Sequence, residues 1–276
     1  MTHLFYLMRK SALLLIAALL FIAGSSVYGQ TGTFTVTQDI SYRSGDDYVN
    51  ERCRLDIREP AEEGSYPVVV WFHGGGLTGG DKYFPGRLLD AQVVLVAVNY
   101  RLSPQVKVSE ILDDAAAAVA WTFSHAEEYK GNPEQVIVSG HSAGGYITSM
   151  IGLDKQWLET YDRDADDILA LFPFSGHAIT HFTVRKEMGI PGKQPVINEM
   201  APLYHVRPDA PALYLLTGDR ELEMLGRYEE NAYMYRMMKV NGHEKTYLYE
   251  FDGHGHGAMT TPGQHVLLEF IENLNP

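Results

Sequence analysis

Two glycine-framed segments hold the residue types of acyl-transfer chemistry. Gly140-His141-Ser142-Ala143-Gly144 has the spacing G-x-S-x-G and directly follows the apolar run Gln135–Ser139. A sharp strand-to-helix turn at such a motif strains the serine and lifts its hydroxyl above a sheet, which makes Ser142 the candidate nucleophile. A helix starting there would add free N–H groups and a positive dipole end, so the Ala143 amide is a candidate oxyanion donor. His73-Gly74-Gly75-Gly76 follows a second apolar run, Pro67–Phe72. Its glycines let backbone approach a substrate closely, and the amides of Gly75 and Gly76 can join Ala143 in holding an oxyanion. No G-x-x-x-x-G-K-[ST] or G-x-G-x-x-G accompanies it, which argues against a phosphate cradle. His73 is expected to brace the loop rather than react.

A serine nucleophile also needs a base and an acid, which in strand–turn–helix sites of this type follow in the order serine, acid, histidine. Asp219, in T-G-D-R-E just after the apolar stretch Ala212–Leu216, is the expected acid, with Glu221 as the fallback. The segment F-D-G-H-G-H-G offers His254 and His256 as the base. An imidazole with an unperturbed pKa of ~6.5 suits proton transfer near neutrality. The residues alone leave the choice between the two histidines open. His177 and His181 have i, i+4 spacing, but without H-E-x-x-H no metal catalysis is expected. The acidic run Asp162–Asp167 lacks the glycine and glutamate of a calcium loop and reads as a solvated face. Cys53, the one cysteine, excludes an intramolecular disulfide framework and a CxxC site. It alternates with charged residues in Arg52–Ile57 and reads as a small buried apolar residue.

These residues need a scaffold that brings distant loops to one edge. Continuous apolar runs at Pro67–Phe72, Val93–Val98 and Gln135–Ser139 fit strands covered on both faces of a parallel sheet. Thr33–Tyr42 and Arg52–Ile57 read as leading strands; Ile168–Phe174, Ala212–Leu216 and Thr246–Phe251 read as later ones. Helical patterns cover Ser109–His125, Gly144–Leu153, Glu221–Val240 and Pro262–Leu274. Alternating β and α predicts an α/β fold with a doubly wound, mostly parallel sheet and helices on both faces. Ser175–Pro211, with five prolines, reads as a small insertion over one end of the sheet.

The chain has 276 residues, 45% hydrophobic and 21% charged, which excludes disordered, collagen-like and coiled-coil classes. Ala12–Ala23 is an apolar run after Arg9-Lys10 and before G-S-S-V-Y-G-Q, the parts of a secretory signal. The run is short for a membrane span, which needs ~20 residues. We therefore expect a leader over residues 1–29, cleaved before Gln30, a secreted or periplasmic location, and a single domain over residues 30–276 with no membrane span. Loss of the leader's two cations shifts the net charge from −13 to −15. An acidic body without basic runs argues against nucleic acid as a partner.

The motifs HGGG, N-Y-R-L-S-P (Asn99–Pro104), D-D-A-A-A-A-V-A-W (Asp113–Trp121), G-H-S-A-G-G and the late G-H-G resemble the α/β-hydrolase esterases of the hormone-sensitive-lipase type. Gly79-Gly80-Asp81-Lys82 looks more like the neighbouring bacterial group with feruloyl and acetyl-xylan esterases. The resemblance spans residues 51–274. It implies a G-x-x-H-G motif that puts the base on His256, with Ser142 as nucleophile, Asp219 as acid, and Gly75, Gly76 and Ala143 as oxyanion donors. Leu77 departs from the Phe or Trp that many relatives carry there. The implied activity is hydrolysis of small-molecule or glycan esters, short acyl groups above all, without a cofactor. A prolyl-oligopeptidase-type peptidase is disfavoured, since the chain has no room for a propeller domain. A non-catalytic hydrolase-fold binding protein is disfavoured because every triad candidate is present.

Overall fold

The computed structural model describes residues 27–31 and 34–274. Nine strands form one sheet: β1 (Val27–Thr31), β2 (Phe34–Ser41), β3 (Arg54–Pro60), β4 (Tyr66–Phe72), β5 (Val94–Val98), β6 (Gly131–His141), β7 (Ala170–Phe174), β8 (Ala212–Gly218) and β9 (Thr246–Phe251). Their spatial order is β1-β2-β3-β5-β4-β6-β7-β8-β9. The first four in that order pair antiparallel, and every pair from β5–β4 to β8–β9 is parallel. The helices are α1 (Asp47–Arg52), α2 (Val108–His125), α3 (Ala143–Leu153), α4 (Gln156–Glu159), α5 (Phe182–Glu187), α6 (Arg227–Val240) and α7 (Thr260–Glu272).

The apolar runs are continuous because the central strands bury both faces. In β4, Val68, Val70 and Phe72 join a core with Ile111, Ala115 and Ile147 of α2 and α3, and with Met234 and Met238 of α6. Val69 and Trp71 point the other way, into a second core with Leu267 and Ile271 of α7. Burial of each such side chain contributes roughly 1.5–3 kcal/mol before entropy is counted. The helix α3 is buried at all of its residues, which explains its nearly uniform apolar composition.

The doubly wound, mostly parallel sheet matches expectation, and two local readings are corrected. Residues 47–52 form α1, capped by Asp46, whose carboxylate accepts from the Val49 amide, so β3 starts later than read. The helix read over Glu221–Val240 starts only at Arg227; residues 219–226 are an irregular loop. Within Ser175–Pro211 the chain forms the single α-helical stretch α5 and a short 3-10 turn at Pro202–His205. Residues 1–26 of the expected leader lie outside the described residues. The first strand runs from Val27 to Thr31, across the expected cut, and pairs with β2. No described helix is long and apolar enough to cross a membrane. Cys53 is fully buried, and burial pushes its thiol up to about 11.

Candidate active site

The site lies at the C-terminal ends of the parallel strands. Ser142 sits between β6 and α3 with φ 58° and ψ −110°, a strained conformation for a residue with a side chain. The turn is held from both sides: the Ser142 amide donates to Phe174 O (2.8 Å), and the Tyr146 amide donates to Ser142 O (3.0 Å). Gly144 is required by close approach, since a Cβ there would fall 2.0 Å from Phe72 O at the end of β4.

The His73–Gly76 loop packs directly on this elbow: a Cβ on Gly74 would lie 3.4 Å from Ser142 Cβ. Gly75 (φ 112°) and Gly76 (φ 64°) take left-handed backbone conformations. Thr78 and Gly79 both donate to Gly75 O at 3.1 Å, which closes the turn. The amides of Gly75, Gly76 and Ala143 make no hydrogen bond among the described residues, so these donors are free to serve a ligand. His73 is buried and stacks on Tyr100 with ring centroids 4.3 Å apart. Its Nδ1 lies 2.6 Å from Gly74 O, and burial pushes it down to about 4, so the neutral ring donates there.

The N-Y-R segment braces this loop. Tyr100 Oη donates to His73 O (2.8 Å), and the Asn99 side chain holds Asp81 and the Lys82 amide. Arg101 forms a two-pronged ion pair with Asp114 of α2, both contacts 2.8 Å, with the Asp114 side chain fully buried. Leu77 (φ 64°) is fully buried in the core. It therefore leaves the mouth of the site to other residues.

The structure brings Ser142 and His256 together: Nε2 of His256 lies 2.9 Å from Ser142 Oγ. His254 turns away, its Nδ1 2.9 Å from Asp252 O. His141 donates through Nε2 to His256 O (2.8 Å). Burial pushes the His141 ring down to about 4 and keeps it neutral, so it clamps the His256 backbone without competing for protons.

The carboxylate on His256 is not Asp219. Glu223 Oε1 lies 2.8 Å from His256 Nδ1, with the glutamate side chain only 1% exposed. Asp219 instead accepts from the amides of Gly253 (2.8 Å) and Glu221 (2.9 Å). It clamps the loop after β8 to the loop bearing His256, and its own amide donates to His254 O (2.8 Å). Glu221, the fallback, makes no side-chain contact with His256 among the described residues. The reason is local: amides of Leu222 and Glu223 bond back to Asp219 O (2.9 and 2.8 Å), and this turn swings Glu223 inward. Burial alone raises the Glu223 carboxyl. Hydrogen bonds from His256 and Ser175 together outweigh it and hold the group below its usual range, hence ionised.

Ser175, at the end of β7, was not singled out by the sequence. It is fully buried with φ 47°, and its hydroxyl bonds Glu223 Oε2 and lies 2.9 Å from His256 Nδ1. Its carbonyl accepts from Arg227 Nη1, and its amide donates to Leu216 O (2.7 Å). No motif marks it, because only the spatial junction of three strand ends gives it this place.

A cleft of about 660 Å³ adjoins the triad loop, lined among others by Phe182, Met224, Leu225, Arg227 and Tyr233. Phe182 of α5 covers the outer side of Gly76, and Thr183 Oγ1 donates to Gly76 O (2.7 Å). Two histidines weighed as metal ligands have other partners. His177 Nδ1 meets Glu230 Oε2 at 2.8 Å, and His181 Nδ1 accepts from the Thr183 amide (3.1 Å), capping α5. Among the described residues no group of three His, Cys, Asp or Glu side chains is placed to hold a metal ion.

A serine, a histidine and an ionised acid in line, beside three free amides, can carry out covalent acyl transfer. The family described as BD-FAE matches residues 55–176. The probable carboxylic ester hydrolase LipM of Mycobacterium tuberculosis is 27% identical over 179 residues, covering 56% of this chain and 41% of that protein. The chain thus spans less than half the length of that relative. Among solved structures, a truncated carbohydrate esterase from gut microbiota superposes with a TM-score of 0.73 at 16% identity, covering 90% of this chain and 98% of the other. The propionate-bound esterase Est2 of Thermogutta terrifontis gives 0.67 at 20% identity, covering 86% and 94%.

Proposed function

We propose, from the premise that the chain is an α/β-hydrolase related in sequence to carboxylic ester hydrolases, that it is itself a serine esterase working through an acyl-enzyme. The observation that carries this reading is the relay Ser142 Oγ to His256 Nε2 (2.9 Å) and His256 Nδ1 to Glu223 Oε1 (2.8 Å). Ser142 attacks the ester carbonyl while His256 takes its proton; Glu223 fixes the imidazole tautomer and stabilises the imidazolium. The amides of Gly75, Gly76 and Ala143 receive the oxyanion. His256 then protonates the leaving alcohol, and water repeats the sequence to release the acid. No step calls on a cofactor.

The substrate class in this reading is a short acyl ester, acetyl above all, of a polar alcohol such as a sugar, met outside the cytoplasm after export through the leader. Buried charged side chains, Arg185 and Arg227, interrupt the apolar wall of the cleft, so a long chain stops gaining buried area early. The carbohydrate esterase and the propionate-bound esterase among the structural neighbours support the same choice. A nitrophenyl ester series tests it: kcat/KM peaks at about two to four acyl carbons, and a peak at about eight or more overturns the short-acyl assignment. Ser142→Ala lowers turnover at least ~10³-fold in a folded protein; wild-type turnover in that variant removes the mechanism. Absence of acetate release from acetylated sugars removes only the carbohydrate part.

A further inference from the structure

The cleft beside the triad contains two buried arginines that form no ion pair. Arg185 of α5 and Arg227 of α6 both line it and are 4% and 2% exposed. Neither has a carboxylate within 4.0 Å among the described residues, although the other buried arginine near the site, Arg101, is paired with Asp114. Each spends one Nη1 on a carbonyl oxygen, Gln194 O for Arg185 and Ser175 O for Arg227. Their Nε atoms are buried with no partner, as is His177 Nε2 on the same wall. Their Nη2 groups also lack a hydrogen-bond partner but are not among the buried orphans, which leaves them facing accessible space.

Buried guanidinium N–H groups left without partners are costly, and an anion within reach of both arginines would satisfy them. The acids lining the cleft make no hydrogen bond to either arginine. Glu230 is engaged by His177 Nδ1 and by the Ala178 amide, and Glu229 is exposed. Apolar and aromatic groups, including Phe182, Tyr233, Met224 and Leu225, form the rest of the wall. The cleft therefore combines apolar walls with two guanidinium groups, whose forked donors carboxylates match well.

We propose that this cleft binds a carboxylate at the distal end of the ester, separated from the scissile bond by a ring or apolar spacer. The inference rests on the esterase reading and sharpens its substrate class. It runs against the charge of the whole chain, −13, which repels anions; any preference for a charged ester must come from local contacts.

Two substrate pairs test it and separate the alcohol side from the acyl side: 4-acetoxybenzoate against 4-acetoxybenzamide, and the monomethyl ester of terephthalate against its monoamide. The expected result is a kcat/KM at least tenfold higher for the anion in one pair, carried mainly by KM and weakened by salt. Arg185→Met brings that ratio near one, and Arg185→Lys retains part of it. Should neither variant fold, the wild-type ratios decide alone. Turnover of the neutral amides with no anion preference in either pair overturns the carboxylate site and leaves the esterase intact. No turnover of any of the four overturns the esterase reading, and the carboxylate site falls with it.

Discussion

Replacing Glu223 by glutamine separates the two acids of the loop after β8. The carboxylate contacts His256 Nδ1 at 2.8 Å from a side chain only 1% exposed. In the Glu223→Gln variant the new carboxamide would present N–H donors to Nδ1, which favours the tautomer with its proton on Nε2. That proton points at Ser142 Oγ, where the base must accept. The imidazolium of the transition state would also lose its ionic partner in a site with little solvent. Loss of the acid in such a relay lowers kcat by roughly 10³–10⁴, equivalent to about 4–5.5 kcal/mol at 1.36 kcal/mol per decade. The companion Asp219→Asn keeps an acceptor for the Gly253 or Glu221 amide and should change kcat less than about threefold. Initial rates on 4-nitrophenyl acetate, with thermal unfolding of each variant as the control for folding, decide the matter. A folded Glu223→Gln enzyme within tenfold of wild type, or an Asp219→Asn enzyme crippled in its place, would refute the assignment.

Two further outcomes follow from packing and protonation. Gly144→Ala places a Cβ 2.0 Å from Phe72 O, whereas Gly257→Ala meets nothing within 4 Å. The first should cost about 3 kcal/mol or more and lower the melting temperature sharply, the second very little; equal melting temperatures contradict the close approach. Burial pushes the Glu230 carboxyl from 4.5 up to about 7. A raised carboxyl favours the folded state fully below its unfolded value and loses that contribution as pH rises through 7, here up to about 3 kcal/mol. Urea unfolding should therefore show wild type losing stability relative to Glu230→Gln between pH 5 and pH 8, and parallel profiles count against a raised carboxyl.

What could be read from the chain tracks how local each signal is. Ser142 and Gly75–Gly76 announce themselves because the strand, the turn and the glycines that permit it are contiguous. The two-faced burial of β4, β5 and β6 is visible for the same reason, as runs without polar interruption. The acid was misplaced because its position depends on a turn that leaves no strong mark. Glu221 to Leu225 are mostly good helix formers, and they extended the apparent α6 backwards over a loop. The sign of the break was Gly226, which adopts φ 69° at the helix entry. Ser175 was illegible for a different reason: its role exists only where the ends of β7, β8 and the Glu223 loop converge.

The relay draws its members from regions with very different freedom to change. The elbow is enclosed by Phe72 O on one side and Phe174 O on the other, so almost any added atom there disturbs the centre of the sheet. The loop after β8 is open, and it carries carboxylates at Asp219, Glu221 and Glu223, every second position of one short stretch. Asp219 already reaches the segment bearing His256, through the Gly253 amide. The acid thus stands on a stretch where added atoms meet solvent, and the nucleophile where they meet the centre of the sheet.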